Sequence, residues 1–162
     1  MIENERGFLY LEAVFVICAI FVFLGMVAMV GRNYVEEALL EYEAISLAKD
    51  IRLLQEEQRT NSFHGFNFEE ERRKNKYFHV LRIHADRYEL LDDSYQTRAV
   101  HTCLPLISLV EVFGKNDIGF LIDGTPWNPR TIELRTKLSA EPRSRYVIID
   151  QAGRVRIDRV RP

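Results

Sequence analysis

Read as apolar and polar positions, the chain divides into three stretches. Residues 8–30 carry no charge except Glu12. About 20 apolar residues suffice to cross a bilayer as a helix, so this run is long enough to span. A carboxylate at its head costs about 3 kcal/mol in hydrocarbon unless something pairs with it, and Glu12 therefore calls for a partner.

From Arg32 the composition turns charged while the helical period continues. Val35, Ala38, Leu39, Tyr42, Ile45, Ala48, Ile51 and Leu54 recur at helical spacing, and neither proline nor glycine interrupts 33–62. The pattern predicts one helix from 8 to about 61, roughly 80 Å long. Its second half is amphipathic: the apolar stripe packs on a sheet, while Glu36, Glu37, Glu41, Glu43, Lys49, Asp50, Glu56 and Glu57 face solvent or neighbouring subunits. Such a length suits a subunit packed in a filament better than a lone globular domain.

Period-two patterning follows a polar break at 62–76, where Glu69-Glu70-Glu71 lies beside Arg72-Arg73-Lys74 and reads as a charge-paired surface loop. Strands are predicted over 77–83 and 87–91, joined around Ala85-Asp86, then over 98–103 and 107–113 with a bend at Pro105. Further strands fall at 118–122, 131–135, 146–150 and 154–157, separated by turns that include Asp123-Gly124-Thr125-Pro126 and Gln151-Ala152-Gly153. The expected fold class is α+β, a long N-terminal helix followed by an antiparallel meander.

Composition narrows this little. At 162 residues and formal net charge −2, the chain holds one membrane helix and one soluble domain, and its charge points to no global partner. Cys18 lies in the apolar span and Cys103 in the soluble part, so no intramolecular disulfide is expected.

Gly7-Phe8-Leu9-Tyr10-Leu11-Glu12 resembles the class III signal sequence of type IV pilins and pseudopilins. In that family a prepilin peptidase cuts after a glycine, the new first residue is commonly phenylalanine, and glutamate stands fifth in the mature chain. Gly7, Phe8 and Glu12 match these positions. The resemblance implies cleavage after Gly7, N-methylation of Phe8, and an assembly contact between Glu12 and the N-terminal amine of a neighbouring subunit inside the membrane. It extends to the order of the later strands, including Ile118-Gly119-Phe120, Thr131-Ile132-Glu133-Leu134 and Tyr146-Val147-Ile148-Ile149, which looks like the minor pseudopilins of the GspH/FimT and ComGD-like groups. The implied organisation is a leader at 1–7, a transmembrane half-helix at 8–31, an amphipathic half at 32–62 and a β-rich pilin domain at 63–162. The implied location is the bacterial inner membrane, single-pass, with the C-terminal domain outside the cytoplasm. The implied partners are the prepilin peptidase and other pilins, in a type IV pilus, a type II secretion pseudopilus or a DNA-uptake filament. The leader departs from the family's usual basic character, with Glu3 and Glu5 against Arg6, so orientation rests on the resemblance alone.

Catalytic chemistry is not expected. The chain has no G-x-S-x-G, no P-loop and no dinucleotide-binding glycine pattern. His64, His79, His84 and His101 are scattered without metal-site spacing, Asp92-Asp93 reads as a turn, and no cofactor or metal is expected. Trp127, between Pro126 and Asn128-Pro129, is expected to plug the core. Arg154, Arg156, Arg159 and Arg161 stud the last segment. Such a row holds DNA phosphates, or protects an edge strand with Asp150 and Asp158 as local partners. Besides the filament subunit, two readings stay open: a membrane-anchored DNA-binding module, and an unrelated sensor domain on an ordinary single-pass anchor.

Overall fold

The computed structural model describes residues 3–62, 79–91, 95–111, 117–121, 123–137 and 142–160. The loop expected at 62–76 with His64, the Asp92-Asp93 pair and Arg161 lie almost wholly or wholly outside them. The helix α1 runs Glu3–Ser62, and eight strands follow: β1 His79–Ile83, β2 Arg87–Leu91, β3 Thr97–Thr102, β4 Ile107–Glu111, β5 Asp117–Phe120, β6 Arg130–Thr136, β7 Ser144–Ile149 and β8 Val155–Asp158. The α+β layout is as expected, with each strand within a few residues of its predicted position.

Two compact units divide the chain, Met1–Glu37 and Ala38–Pro162. The first is helix alone, exposed from Tyr10 to Val35 and long and apolar enough to cross a membrane. The second is the folded domain, built on the remainder of α1.

The strands do not form one meander. They make two four-stranded antiparallel sheets, ordered β3-β2-β1-β5 and β4-β6-β7-β8. The first break falls at 103–106. Pro105 has no N–H to give a ladder, and the turn there closes from Ile107 N to Leu104 O at 2.9 Å. β3 is left at one edge, and β4 starts a second sheet. The tip of the β1–β2 hairpin bridges the gap, its Asp86 and Ala85 carbonyls accepting from Cys103 N at 2.9 Å and Leu109 N at 3.0 Å. β5 then returns to β1, pairing Leu81 with Ile118, and β6 crosses back to β4, pairing Leu109 with Leu134.

Two sheets suit a helix that must be covered on more than one side. Leu40, Ala44, Leu47, Ala48, Ile51 and Leu54 of α1 share a single core with Leu81, Ile83 and Tyr88 of the first sheet. The same core takes in Ile107, Leu109, Ile132, Leu134, Val147 and Ile149 of the second.

This corrects the expected stripe. Ala48, Ile51 and Leu54 face the core, whereas Val35, Ala38, Tyr42 and Ile45 are exposed. The buried row runs instead through Leu40, Glu43, Ala44, Leu47, Ile51, Leu54, Gln55 and Gln58, so it includes polar residues that a hydrophobic pattern passes over.

Candidate functional site

Glu12 stands exposed on α1, and among the described residues no ion pair reaches it. Around it the helix surface is apolar: Phe15, Cys18, Ala19, Val22, Phe23 and Met26 line a shallow groove on one flank. A carboxylate on such a surface has no means of compensation within the described part of its own chain. Gly7 and Phe8 lie on α1 a turn before it; their side chains are outside the described residues.

In the folded domain the helix carboxylates are organised rather than merely solvated. Glu43 is 2% exposed. It accepts from Leu104 N at 2.9 Å and pairs with His101 Nε2 at 3.0 Å, gripping the bend that leads from one sheet to the other. His101 stacks on Tyr88 with ring centroids 4.7 Å apart, and the Tyr88 hydroxyl donates to Asp50 at 2.6 Å. Burial, joined by that carboxylate, raises the Tyr88 phenol well above its ordinary range. Two turns further on, Glu57 accepts from Arg98 at 2.8 Å and lies 3.5 Å from His79 Nε2. Glu43, Asp50 and Glu57 thus recur at two-turn spacing and hold the first sheet. On another flank Glu41 pairs with buried Arg145 of β7 at 2.9 Å. Glu36 is buried as well and pairs with Arg32 at 2.8 Å. The expectation that Glu36 and Glu43 face outward is therefore corrected: Glu43 is turned in to receive Leu104 N and His101, and Glu36 is buried while paired with Arg32 of its own helix.

The end of α1 ties two turns together. Gln55 Nε2 donates to Gly124 O at 2.9 Å and to Gly153 O at 2.8 Å, while Arg59 Nε donates to Asp123 O at 2.9 Å and Arg52 to Val155 O at 2.9 Å. Gly124 and Gly153 have φ of 77° and 79°, the left-handed region that glycine occupies without strain. A Cβ on Gly153 would also come within 3.1 Å of Gly124 O. Burial works to raise the Asp123 carboxyl, but hydrogen bonds from the Thr125 hydroxyl and N–H, with Arg59 nearby, outweigh it and hold the group below its ordinary range.

Trp127 corrects another expectation, being 46% exposed. Phe120, by contrast, is fully buried and bridges to Pro126. The Trp127 backbone N–H donates to Gly119 O at 3.0 Å.

Among the described C-terminal arginines, Arg154 precedes β8, Arg156 lies in it and Arg159 follows it; β8 is an edge strand of the second sheet. Arg154 donates to Asp150 at 2.8 Å, and that carboxylate also accepts Arg154 N at 2.8 Å. The backbone bond first, then the guanidinium, hold the Asp150 carboxyl below its ordinary range. Arg156 and Arg159 are exposed, whereas Val155 on the opposite face of the strand is buried. Asp158 accepts the N–H groups of Arg159 and Val160 and closes the strand. The described arginines share one margin of the second sheet, and Glu12 belongs to the other unit.

Among the described residues no group of three or more His, Cys, Asp or Glu side chains is placed to hold a metal. Cys103 is buried, chiefly for which reason its thiol is pushed up to about 12. No protein family, curated protein or solved structure matches the chain.

Proposed function

We propose that this chain is a pilin-like subunit, a minor pilin or pseudopilin. A prepilin peptidase cuts it between Gly7 and Phe8 and methylates the new Phe8 amine, and the product assembles with other pilins from the cytoplasmic membrane. The machine is a type IV pilus, a type II secretion pseudopilus or a DNA-uptake filament. The observation that carries the reading is Glu12, a carboxylate without a described partner on an exposed apolar helix. In hydrocarbon such a group is retained where an opposite charge meets it. The cationic N-terminus of a neighbouring subunit, released by the cut after Gly7, is that charge.

The folded domain supports the reading from the other end. Its helix packs on both sheets and leaves Ala38, Tyr42, Ile45 and Leu53 exposed, apolar surface that a neighbouring subunit would cover. The deciding experiment replaces Glu12 with alanine in cells that carry the peptidase. Cleavage should persist, since the scissile bond is untouched, and the subunit should vanish from sheared filaments. Incorporation of Glu12→Ala at the wild-type level would refute the contact.

A second reading is favoured by Arg156 and Arg159, exposed at the β8 margin. In it the domain holds DNA phosphates through these arginines together with Arg154 and Arg161. Duplex DNA titrated against the full chain at rising salt should then show affinity that falls steeply with salt and drops when the four are replaced. Affinity indifferent to both would remove this reading.

A further inference from the structure

Each of the two sheets ends in two edge strands, and the chain does not treat the four alike. At β5, Leu121 N donates to Thr125 O at 2.8 Å and Trp127 N to Gly119 O at 3.0 Å, so the segment that follows the strand covers it. At β4, Leu109 N donates to Ala85 O at 3.0 Å and Ile107 N to Leu104 O at 2.9 Å. At β8, Val155 O accepts from Arg52 of α1 at 2.9 Å. β3 differs. Cys103 N donates to Asp86 O and Tyr88 lies opposite His101, so Asp86 with Cys103 and Tyr88 with His101 are the bonded pairs of this antiparallel ladder. The N–H and C=O groups of Val100 and Thr102 therefore point away from β2, and among the described residues no hydrogen bond reaches them. The strand is exposed at every position but His101.

We propose that the β3 edge takes the C-terminal tail of a second copy of the chain, the residues after Asp158, as an added parallel strand. The proposal rests on the filament reading above and adds to it a contact between folded domains. Charge selects the tail. A strand laid on β3 alternates between the outer face, which carries Val100, and the inner face, where His101 meets α1. That inner side runs along the flank of α1 that bears Glu43, Asp50 and Glu57. Arg98 is the one permanent cation set against those three carboxylates, so the flank stays acidic. The tail, Arg159-Val160-Arg161-Pro162, alternates in the matching sense. With Val160, which is 71% exposed, beside Val100, the flanking arginines turn toward the carboxylates. Arg159 and Val160 are also outside their own sheet, because Asp158 ends β8 by accepting both of their N–H groups.

Strand direction follows from α1. Arg98 meets Glu57 and His101 meets Glu43, so β3 runs against the helix. Gln55 meets Gly153 O and Arg52 meets Val155 O, so β8 runs against it too. Two copies anchored in one membrane send their helices the same way, and the tail of one then runs parallel to β3 of the other. Antiparallel pairing of β3 with a second β3 would set the helices opposed, and it would crowd Arg98 and His101 of both copies together. The chain's own β3 lies on the far flank of α1. Arg52, beside β8, and Asp50, beside the first sheet, stand about 160° apart around the helix, and four residues reach at most about 14 Å. The tail therefore serves a neighbour. Edge and tail are different patches, so each copy gives one contact and receives another, and the contact repeats from copy to copy.

The test uses full-length protein in membranes with Cys18 replaced by serine; Cys103 is buried. Two differently tagged copies are co-expressed, one with Val100→Cys and one with Val160→Cys, and mild oxidation is applied. The mixed pair should cross-link, each single-cysteine copy alone should stay monomeric, and a copy carrying both changes should form no internal link. Arg159→Glu should lower the mixed cross-link about fivefold, the size of one exposed ion pair turned repulsive. Amide exchange over residues 97–102 should be slower in the unaltered chain than in one ending at Asp158, a truncation that leaves every strand in place. Cross-linking of Val100→Cys with itself, or an internal link, overturns the assigned occupant. Equal exchange in the two chains, or no mixed cross-link, overturns the contact. Either result beside a cleaved leader leaves the filament reading standing, and failure of that reading shows separately, as an uncleaved leader.

Discussion

Replacing Glu43 with alanine tests whether the helix holds the domain by directed polar contacts as well as by apolar burial. The change strips the acceptor from Leu104 N and from His101 Nε2. A buried donor left without a partner costs about 1–3 kcal/mol. Leu104 is only partly buried and His101 is about a third exposed, so water recovers part of that cost, and the lower end applies to each. Losing the one buried methylene adds about 0.8 kcal/mol. The sum is about 3 kcal/mol, a large share of the 5–15 kcal/mol typical of a domain. Glu43→Gln keeps an oxygen for Leu104 N and should cost about 1 kcal/mol. The assay is urea unfolding of the detergent-solubilised full chain followed by far-ultraviolet circular dichroism, with exposed Glu56→Ala as control. A double-mutant cycle with His101→Ala should return a coupling of about 1 kcal/mol. If Glu43→Ala proves as mild as Glu56→Ala, within about 0.5 kcal/mol, the buried grip assigned to this carboxylate is wrong.

Gln55→Ala should destabilise the domain by about 2 kcal/mol, one lost hydrogen bond to each glycine carbonyl. Gln55→Glu should be worse, since it turns oxygens toward those carbonyls; equal stability of the two variants in the same assay would contradict the donor role. The raised Cys103 thiol keeps its proton in the folded chain, so alkylation at pH 8 in a Cys18→Ser background should be slow until urea is added. Because the unfolded thiol ionises near 8.5 and the folded one at about 12, its contribution is complete below about pH 8.5 and lost as pH rises toward 12. Cys103→Ala should flatten that part of the stability profile. Asp150 behaves in the opposite sense. Its lowered value means stability present above the ordinary carboxylate range, about 3.9, and lost as pH falls through the folded value. Asp150→Asn should remove that acid limb, read from the amide resonance of Arg154, and a limb that persists would place its origin elsewhere.

The strands were legible because alternation and turn residues coincide: Ala85-Asp86, Pro105, Asp123-Gly124 and Ala152-Gly153 each punctuate the chain where it turns. Their grouping was not legible. Nothing local to β5 tells it to join β1 rather than β4, because that choice is made by the helix surface both sheets must cover. The helix stripe misled for a related reason. Apolar residues lie on two faces of α1, through Leu40, Ala44 and Leu47 and through Ala38, Tyr42 and Ile45, so periodicity alone does not say which one the sheets take. Glu43, Asp50 and Glu57 did carry a signal in their two-turn spacing, which marks one face of the helix, but a count of charges assigns that face to water. An aromatic flanked by prolines does not by itself say which way it faces: Phe120 reaches the core from within a strand, whereas Trp127, after Pro126, is exposed. The candidate processing and assembly positions, Gly7, Phe8 and Glu12, are matters of sequence order near the N-terminus, and packing adds to them only the exposure of Glu12.

The central claim is that this helix is cut after Gly7 and assembled through Glu12. Its most direct test is the intact mass and N-terminal sequence of the full chain purified from cells with and without a prepilin peptidase. The account predicts a chain beginning at N-methylated Phe8 only where the peptidase is present. A chain that still begins at Met1 in both would contradict it.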